Sequence, residues 1–387
     1  MWWFVTPRIV FGDGALEAVK TIEGKRVVVI TDKTMSRLGF VDKVSTYLKE
    51  AGIEVRVFDE VEAEPSIETA MRGAEVVREF APDWVLGLGG GSCMDAAKAI
   101  WVLYERPDLT LEDINPFTYL GLRKRARLVT IPSTSGTGSE ATGFVVLTSK
   151  EEHRKVVLGS GELVADMSVV DPTLPTKMPQ SLTADTGLDA LTHAIEAYVC
   201  TWRNEFVDGL AIRSIQLIFE YLPRAYLDGT DALAREKMHY AATLGGIAIS
   251  NAETGLSHAM GHALGGLFKV PHGSVVSVLL PYTIQFIAKK APDRYAEIAR
   301  AIDIKAKSER EASRKLVTAI RRLTKRLRRP TSIKEFGISA GEYETKLDEL
   351  VSRAMRSDDS TPQPRIPTAG QFRKMYLYAY QGKNIDF

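Results

Sequence analysis

The pattern of apolar and polar positions divides the chain into two halves. Up to about residue 178, short runs rich in Val, Ile and Leu alternate with stretches whose apolar residues recur at helical spacing. The clearest strand patterns lie at 26–31, 54–58, 83–89 and 127–133. Strands that alternate with amphipathic helices are typical of parallel, doubly wound sheets. The first half is therefore predicted to be an α/β domain with a parallel, Rossmann-like sheet.

The apolar pattern changes near residue 178. Three further apolar runs, 144–149, 154–159 and 167–172, predict a hairpin or additional strands of the first domain. Pro172, Pro175 and Pro179 then mark a loop, and nearly everything beyond it has helical periodicity. We therefore predict a boundary near Met178, with an α/β domain at 1–178 and an all-helical domain at 179–387.

Composition and charge narrow the classes of partner. Of the 387 residues, 45% are hydrophobic and 26% charged, and the formal net charge is +1. This balance gives no general attraction to nucleic acid or to an anionic membrane. Eight Lys and Arg residues at 314–329 are interpreted as the solvated face of a helix, and no apolar run approaches the roughly 20 residues that span a bilayer. We expect neither nucleic acid nor a membrane as partner.

Residue usage also bears on compartment and source. Cys93 and Cys200 form neither a disulfide framework nor a zinc pattern, and the N-terminus lacks a basic leader and a cleavage site. These features favour a reduced, cytoplasmic compartment. Only four Asn and six Gln occur, which fits a thermophilic source.

The first candidate ligand-binding segment is Gly89-Gly90-Gly91-Ser92, between a predicted buried strand and a helix that starts near Met94. Glycines at such a junction let backbone N–H groups approach an anion, and the helix N-terminus adds partial positive charge. These are the properties of a pyrophosphate site. The spacing departs from G-x-G-x-x-G, so a tight strand-to-helix turn is the alternative interpretation.

Two more strand ends carry polar groups of the same kind. The loop PSTSGTGSE at 132–140 follows the next strand and is rich in hydroxyl and amide donors. Ligands of open α/β sheets bind at the carboxyl ends of strands, so the two loops favour one shared phosphate-bearing ligand. Asp32 ends the first of the four strands, where a carboxylate can bind an adenosine ribose and repel a 2′-phosphate. A helix or turn cap is the competing role for Asp32.

The helical half concentrates the histidines. Asp189 and His193 are four residues apart on one predicted helix, and His258 and His262 repeat that spacing. His272 follows at a probable helix start. Imidazole and carboxylate ligands together favour a divalent ion of the iron or zinc type. One Asp and four His exceed a tetrahedral protein shell by one, and the spacing alone does not identify the extra histidine.

Together these segments resemble the iron-containing, group III alcohol dehydrogenases across essentially the whole chain. The matching pieces, in the family's order, are GGGSCMDAAK, IPSTSGTGSE, GLDALTHAIEAY, GLSHAMGHALGG and VPHGS. The resemblance implies a dinucleotide-binding N-terminal domain, a helical metal-binding and substrate domain, and an active site in the cleft between them.

The resemblance also implies roles for individual residues. The implied metal ligands are Asp189, His193, His258 and His272, which leaves His262 beside the nicotinamide and substrate as a catalytic proton relay. Implied cofactor contacts fall on Asp32, Gly90, Gly91, Ser92, Asp95, Thr134, Ser135, Thr137 and Lys155.

The implied reaction is hydride transfer between a small primary alcohol, or its aldehyde, and a nicotinamide cofactor, while the metal polarises the substrate oxygen. Fe²⁺ is the expected metal, with Zn²⁺ as the alternative, and Asp32 favours NAD over NADP. A homodimer or higher homo-oligomer is expected.

The chain departs from the family pattern in two places. Glu64 stands where the family often has Asn, which puts that cofactor contact in doubt. Val276 and Ser277, shortly after VPHG, stand where Asn–Ala is common. A glycerol, diol or glycerol-1-phosphate dehydrogenase is the nearest alternative. A lyase like dehydroquinate synthase is less favoured, because its metal set resembles Glu with two His. A pure binding role is least favoured.

Overall fold

The structure, a computed structural model, describes residues 3–151 and 154–387. The chain divides into two compact units, Met1–Lys177 and Met178–Phe387. Each unit is built around its own buried apolar clusters.

The N-terminal unit contains a parallel sheet and a separate hairpin. Its strands are β1 (Arg8–Phe11), β2 (Arg26–Ile30), β3 (Glu54–Phe58), β4 (Trp84–Gly89), β5 (Arg127–Pro132), β6 (Phe144–Ser149), β7 (Arg154–Gly159) and β8 (Met167–Val170). The sheet has the order β1-β8-β5-β4-β2-β3, and every neighbouring pair in it is parallel. Strands β6 and β7 form an antiparallel hairpin. The predicted parallel sheet is confirmed, and β1 is an edge strand that the sequence pattern did not reveal.

Helices cover both faces of this sheet. They are α1 (Lys33–Arg37), α2 (Phe40–Glu50), α3 (Ile67–Phe80) and α4 (Gly91–Glu105). Alternate residues of β2 face opposite sides, since Val28 and Ile30 belong to one buried cluster and Val27 and Val29 to another. Strand β4 is buried at every position, as expected of a central strand in a doubly wound sheet.

The C-terminal unit is helical, as predicted. Its helices are α5 (Gln180–Val199), α6 (Glu205–Leu227), α7 (Ala232–Ser250), α8 (Leu256–Phe268), α9 (His272–Ile287), α10 (Pro292–Ala301), α11 (Glu309–Arg326), α12 (Ala340–Arg356) and α13 (Ala369–Gln381). Helix α5 packs against α6, α7 and α9 and is buried over nearly its whole length from Thr183 onward. A helix surrounded on all sides is the central element of its unit.

The basic helix α11 has the amphipathic form that its sequence predicts. Leu316, Ile320 and Leu323 are buried, and most of its Lys and Arg residues lie on the opposite, more exposed face. A cavity of about 610 Å³ beside this face is lined in part by Arg321, Arg322 and Lys325. None of the helices in the described part of the chain combines the length and the apolar character of a membrane span.

Candidate functional site

Three helices of the C-terminal unit carry the predicted metal ligands. Asp189 and His193 are one turn apart on α5, His258 lies in the first turns of α8, and His272 is the first residue of α9. Asp189, His193 and His258 are buried, whereas the side chain of His272 is 30% exposed. The predicted ligands therefore meet inside the unit, with one partly open side.

The histidines converge on one carboxylate oxygen. The Nε2 atoms of His193, His258 and His272 lie 3.8, 3.7 and 3.5 Å from Asp189 Oδ1. Ligand atoms of Asp189, His258 and His272 all lie within 4.8 Å of one another. The rings of His193 and His258 stack with their centroids 4.7 Å apart. Asp189, His258 and His272 thus bring three potential ligand atoms into one small volume, and His193 approaches this group through Asp189 Oδ1.

Unpaired polar atoms test whether a metal fits this site. In the part of the chain that the structure describes, Asp189 Oδ1 and His258 Nε2 are buried without a hydrogen-bond partner. An unpaired buried polar atom lowers the stability of a fold by about 1–3 kcal/mol. A ligand that binds both Asp189 Oδ1 and His258 Nε2 would remove this cost. Three imidazoles and one carboxylate suit iron or zinc. The residues therefore fit a divalent transition metal.

The local charges support the same conclusion. Burial raises the pKa of Asp189, but His193, His272 and His258 outweigh it and hold this pKa well below its usual range. Burial lowers the pKa of His258, but Glu196 and Asp189 outweigh it and raise this pKa to about 10. The carboxylate is thus ionised and favours a positive charge beside it, and a metal that binds here would displace the proton of His258.

A glycine allows α9 to reach this position. A Cβ atom added to Gly273 would lie 2.3 Å from the backbone oxygen of Asp185, one turn before Asp189 on α5. The first turn of α9 therefore lies directly against the backbone of α5, with His272 next to Asp189. Ser274 donates a hydrogen bond to Asp185, which also pairs with Arg329. These contacts hold two of the ligand-bearing helices together.

Glu196 contacts the ligand cluster and was not predicted from the sequence. Its Oε2 lies 2.6 Å from His258 Nδ1 and accepts from the backbone N–H of Gly255 at 2.8 Å, and its Oε1 accepts from the N–H of Ser257 at 2.6 Å. One buried carboxylate therefore satisfies the start of α8 and orients the imidazole. A carboxylate that holds the far nitrogen of a ligand histidine fixes its tautomer and increases its basicity.

His262 lies beside the ligand cluster. Its ring stacks on that of His272, with the centroids 5.1 Å apart, and its Nδ1 is 3.4 Å from Asp359 Oδ2. Burial raises the pKa of Asp359, but His262 outweighs it and the pKa falls well below its usual range. Burial and the charge of Asp359 raise the pKa of nearby Glu253 to about 8. Asp359 and Glu253 were also missed from the sequence.

The predicted cofactor residues belong to the N-terminal unit. Strands β2, β4 and β5 are neighbours, so Asp32, the glycine segment and the loop after β5 follow adjacent strand ends. Gly89 has φ +145°, and no side chain caps α4, which begins at Gly91. An uncapped helix start leaves backbone N–H groups available to an anion.

The two loops are in close contact. A Cβ atom added to Gly91 would lie 2.9 Å from the side chain of Thr137, and one added to Gly90 would lie 3.4 Å from Thr134. Thr134 and Thr137 are partly exposed, Ser135 is buried, and Ser92 donates to the backbone oxygen of Ala63. Gly89 is therefore required by its positive φ and Gly91 by close packing, whereas a Cβ atom at Gly90 would make only an ordinary contact.

Asp32 has a structural role in addition to the predicted one. Its Oδ1 accepts from the N–H groups of Thr34 and Met35 and caps α1, and its Oδ2 accepts from the Cys93 thiol at 3.3 Å. Burial, and then Asp32, raise the pKa of that thiol well above its ordinary value, so Cys93 is a packing residue. Asp32 remains partly exposed.

Asp95 is engaged by the protein itself. It accepts hydrogen bonds from the Ser139 hydroxyl and the Val146 N–H, and burial raises its pKa. The buried Lys98, one turn later, donates to Ser139, Thr142 and Phe144, and burial lowers its pKa to about 8. Together they fasten the loop after β5 to α4.

Lys155 on β7 forms an ion pair with Glu64, with 3.1 Å between Nζ and Oε1. Glu64, which stands where the family often has Asn, thus contacts the lysine that the family resemblance assigns to the cofactor. Lys155 is about four-fifths buried at its side chain, whereas Glu64 is exposed.

Comparison with known proteins gives consistent matches over both units. Residues 6–172 match the family described as "Iron-containing alcohol dehydrogenase", and residues 183–380 match "Fe-containing alcohol dehydrogenase family, C-terminal". An NADPH-dependent butanol dehydrogenase from Clostridium saccharobutylicum is 44% identical over 387 residues, which cover 99% of each chain.

Solved structures agree with these matches. An iron-containing alcohol dehydrogenase from Thermococcus thioreducens has a TM-score of 0.91 at 34% identity, covering 99% of this chain and 100% of that one. A 1,3-propanediol oxidoreductase has a TM-score of 0.92 at 33% identity, covering 98% and 100%. The predicted fold, with a parallel-sheet unit followed by a helical unit, is confirmed.

Proposed function

The chain belongs to the iron-containing alcohol dehydrogenase family and interconverts alcohols and aldehydes with a nicotinamide cofactor, and we propose that its substrate is a small primary alcohol, its metal Fe²⁺ and its preferred cofactor NAD. The observation that carries this proposal is the group of three histidine Nε2 atoms around Asp189 Oδ1. A metal held by this cluster can polarise the hydroxyl oxygen of an alcohol, and His262 beside the cluster can accept the hydroxyl proton.

Each residue of the cluster then has a defined task. In this proposal Asp189, His258 and His272 hold the metal together with His193, which lies beside Asp189, and Glu196 orients His258. When bound, the metal supplies Lewis-acid polarisation, which lowers the pKa of a substrate hydroxyl. His262 takes up the proton that the hydroxyl loses, because its ring lies against His272 and imidazole is the side chain that most often transfers protons in enzymes.

The loops of the N-terminal unit bind and orient the cofactor in this proposal. The N–H groups at the start of α4 hold the pyrophosphate, and the hydroxyls of Thr134, Ser135 and Thr137 contribute hydrogen bonds. Asp95 and Lys98 act one step further away, since they fasten the second loop in place. Correct placement of two reactants is a large part of the catalytic effect in such reactions.

Charge at the end of β2 supports NAD. Asp32 is partly exposed there, and a carboxylate repels the 2′-phosphate of NADP. The neighbouring Lys33 is paired with Asp59 at 2.6 Å, which leaves this lysine less available to a phosphate. The butanol dehydrogenase relative is named as NADPH-dependent, so kinetics of this chain with both NAD and NADP are the test of the cofactor proposal.

The substrate class follows from the relatives and from the absence of a charged anchor in the metal motifs. The named activities are those of a butanol dehydrogenase and a 1,3-propanediol oxidoreductase, both acting on short primary hydroxyls.

We further propose a homo-oligomer, supported by the exposed Phe11 on the edge strand β1 and by the exposed Trp3. Light scattering after size exclusion measures this directly.

The test of the proposed function is a substrate panel. Protein reconstituted anaerobically with Fe²⁺, and in parallel with Zn²⁺, is assayed by nicotinamide absorbance with ethanol to hexanol, 1,3-propanediol and glycerol, using NAD and NADP. We expect the highest kcat/KM with unbranched primary alcohols and NAD. Absence of any cofactor-dependent absorbance change with all of these alcohols contradicts the proposal.

Two variants separate the tasks of the histidines. His258→Ala should lose both bound metal and activity, because it removes a ligand at the centre of the cluster. His262→Ala should keep its metal and lose turnover by roughly 10²–10⁴-fold, the usual contribution of a positioned acid or base. Loss of metal from His262→Ala on dialysis contradicts the assignment of His262.

A further inference from the structure

The structure places an acidic side chain behind the histidine that the reaction uses. We propose that Asp359 is a positioning residue, which holds the imidazole of His262 with its hydrogen on Nδ1 and leaves Nε2 free to face the substrate. This inference rests on the proposed function, because it assigns a purpose to the orientation of His262.

The first step of the argument is the geometry of the pair. His262 Nδ1 lies 3.4 Å from Asp359 Oδ2, and its ring is stacked on His272 with an interplanar angle of 16°. Stacking fixes the plane of the ring, and the carboxylate fixes which edge points inward. Distances of this kind in a ligand-free enzyme commonly shorten once substrate is bound.

The second step is that Asp359 is itself held. Its Oδ1 accepts from the Thr254 hydroxyl at 2.5 Å, and its Oδ2 accepts from the Ser357 hydroxyl at 2.7 Å. Gln363 donates to the backbone oxygen of Thr254 at 3.2 Å and ties the two segments together. A carboxylate with two hydroxyl donors cannot turn away from His262 without breaking these bonds.

The third step concerns the hydrogen on the ring. An ionised carboxylate accepts hydrogen bonds and donates none. The ring nitrogen that faces it must therefore carry a hydrogen. The nitrogen on the opposite side, Nε2, is then the one with the free electron pair. The same logic explains why an aspartate behind a catalytic histidine sets its tautomer in serine proteases. Here the pair is built from α8 and the short helical turn Asp358–Ser360.

Glu196 and Asp359 divide this task between two histidines of one helix. Glu196 faces His258 Nδ1, and Asp359 faces Nδ1 of His262, one turn further along α8. Each carboxylate leaves the Nε2 atom of its histidine on the opposite side of the ring, facing away from the carboxylate. For His258 that atom serves the metal, and for His262 it serves the substrate.

The experiment compares Asp359→Asn with the neighbouring Asp358→Asn in the zinc-loaded protein. Asp358 is exposed, so its variant controls for the loss of one negative charge in the same turn. Long-range ¹⁵N–¹H spectra of ¹⁵N-histidine-labelled protein, recorded well above the ordinary histidine pKa of about 6.5, report the tautomer of each ring. Zinc is used because it is redox-inert and d¹⁰, and hence diamagnetic. His262→Gln identifies the His262 signals.

We expect the wild type and Asp358→Asn to have His262 hydrogen on Nδ1, and Asp359→Asn to lose this preference. In Asp359→Asn, kcat should fall by at least about tenfold while KM for the alcohol and the metal content change by less than about twofold. A wild-type ring with its hydrogen on Nε2, an unchanged tautomer in Asp359→Asn, or an unchanged kcat overturns the proposal.

The two readouts distinguish this inference from the proposed function. If the wild type oxidises no alcohol but its His262 tautomer depends on Asp359, the proposed function fails and the positioning role stands. If alcohol is oxidised and the tautomer is independent of Asp359, the positioning role fails and the function stands. Should Asp359→Asn fold poorly, Thr254→Val tests the same clamp, because it removes the hydroxyl that holds Asp359 Oδ1.

Discussion

Replacement of Glu196 by glutamine tests how the ligand histidine is oriented. The carboxylate receives three N–H groups, from Gly255, Ser257 and His258, on its two oxygens. Glutamine has nearly the same shape but only one oxygen, and its nitrogen is a donor. At least one of the three N–H groups must therefore face another N–H group in the variant.

The magnitude follows from the two ways in which the amide can sit. If its nitrogen faces His258, the ring must move its hydrogen to Nε2 and loses the electron pair that binds the metal. If its nitrogen faces Ser257, a buried donor is left unpaired, which costs about 1–3 kcal/mol. Loss of such a histidine partner weakens metal binding about 10–100-fold, or roughly 1.4–2.8 kcal/mol.

The assay is competition for Zn²⁺ between the protein and a chromophoric chelator, at fixed pH. Glu196→Gln should bind zinc about 10–100-fold more weakly than the wild type. The metal-free variant should also unfold several degrees lower, since about 1 kcal/mol corresponds to roughly 2–4 °C in a domain of this size. Glu205→Gln is the matched control, because Glu205 is exposed at the start of α6.

Zinc affinity within about twofold of the wild type in Glu196→Gln would refute this reasoning. A lower unfolding temperature with unchanged zinc affinity would reduce Glu196 to a helix cap. A similar loss of affinity in Glu205→Gln would show that the change of charge, and not the orientation of His258, is responsible.

Three further predictions follow from groups described above. Asp32→Asn keeps the cap of α1 but removes the charge, so the ratio of kcat/KM for NADP to that for NAD should rise at least about fivefold; an unchanged ratio in initial-rate kinetics counts against the NAD preference. Lys98→Met should lower the free energy of unfolding by about 3–5 kcal/mol in denaturant titrations, because it removes the buried cation that interacts with both Asp95 and Glu140; a loss below about 1 kcal/mol contradicts this. The pKa of Glu253, raised to about 8 by burial and Asp359, exceeds its unfolded value of 4.5, so ionisation destabilises the fold as pH rises between these values. Glu253→Gln should accordingly melt above the wild type at about pH 9 and converge with it at about pH 4, and a constant difference across this range refutes the assignment.

The sequence predicted those features that depend on local pattern. The strands β2, β4 and β5 and the helices between them follow from the spacing of apolar residues, and Asp189 with His193 follows from the spacing of one helical turn. Strand β1 escaped because it has four residues and its ends are exposed, so it carries little periodic signal. Asp32 could be assigned two roles from sequence, and the structure shows the capping role while the ribose contact stays a prediction.

The acids behind the histidines could not be predicted in the same way. Glu196 meets His258 across 62 residues, and Asp359 lies nearly a hundred residues beyond His262. No periodicity links such positions, because their contact is created by the packing of α5 and the turn after α12 against α8. A partial signal existed for Glu196, which lies within the same motif as Asp189 and His193, one turn after His193.

The contact at Gly273 limits how the gene for this protein can vary. Every missense change of a glycine codon adds at least a Cβ atom, and at Gly273 that atom would enter the backbone of Asp185. Gly209 and Gly341, which also lie in helices, have open space around the same position. In a saturation library selected for growth on alcohol oxidation, codon 273 should therefore stay monomorphic while codons 209 and 341 diversify. No single amino-acid substitution at Gly273 therefore preserves the contact between α9 and α5 that places His272 beside Asp189.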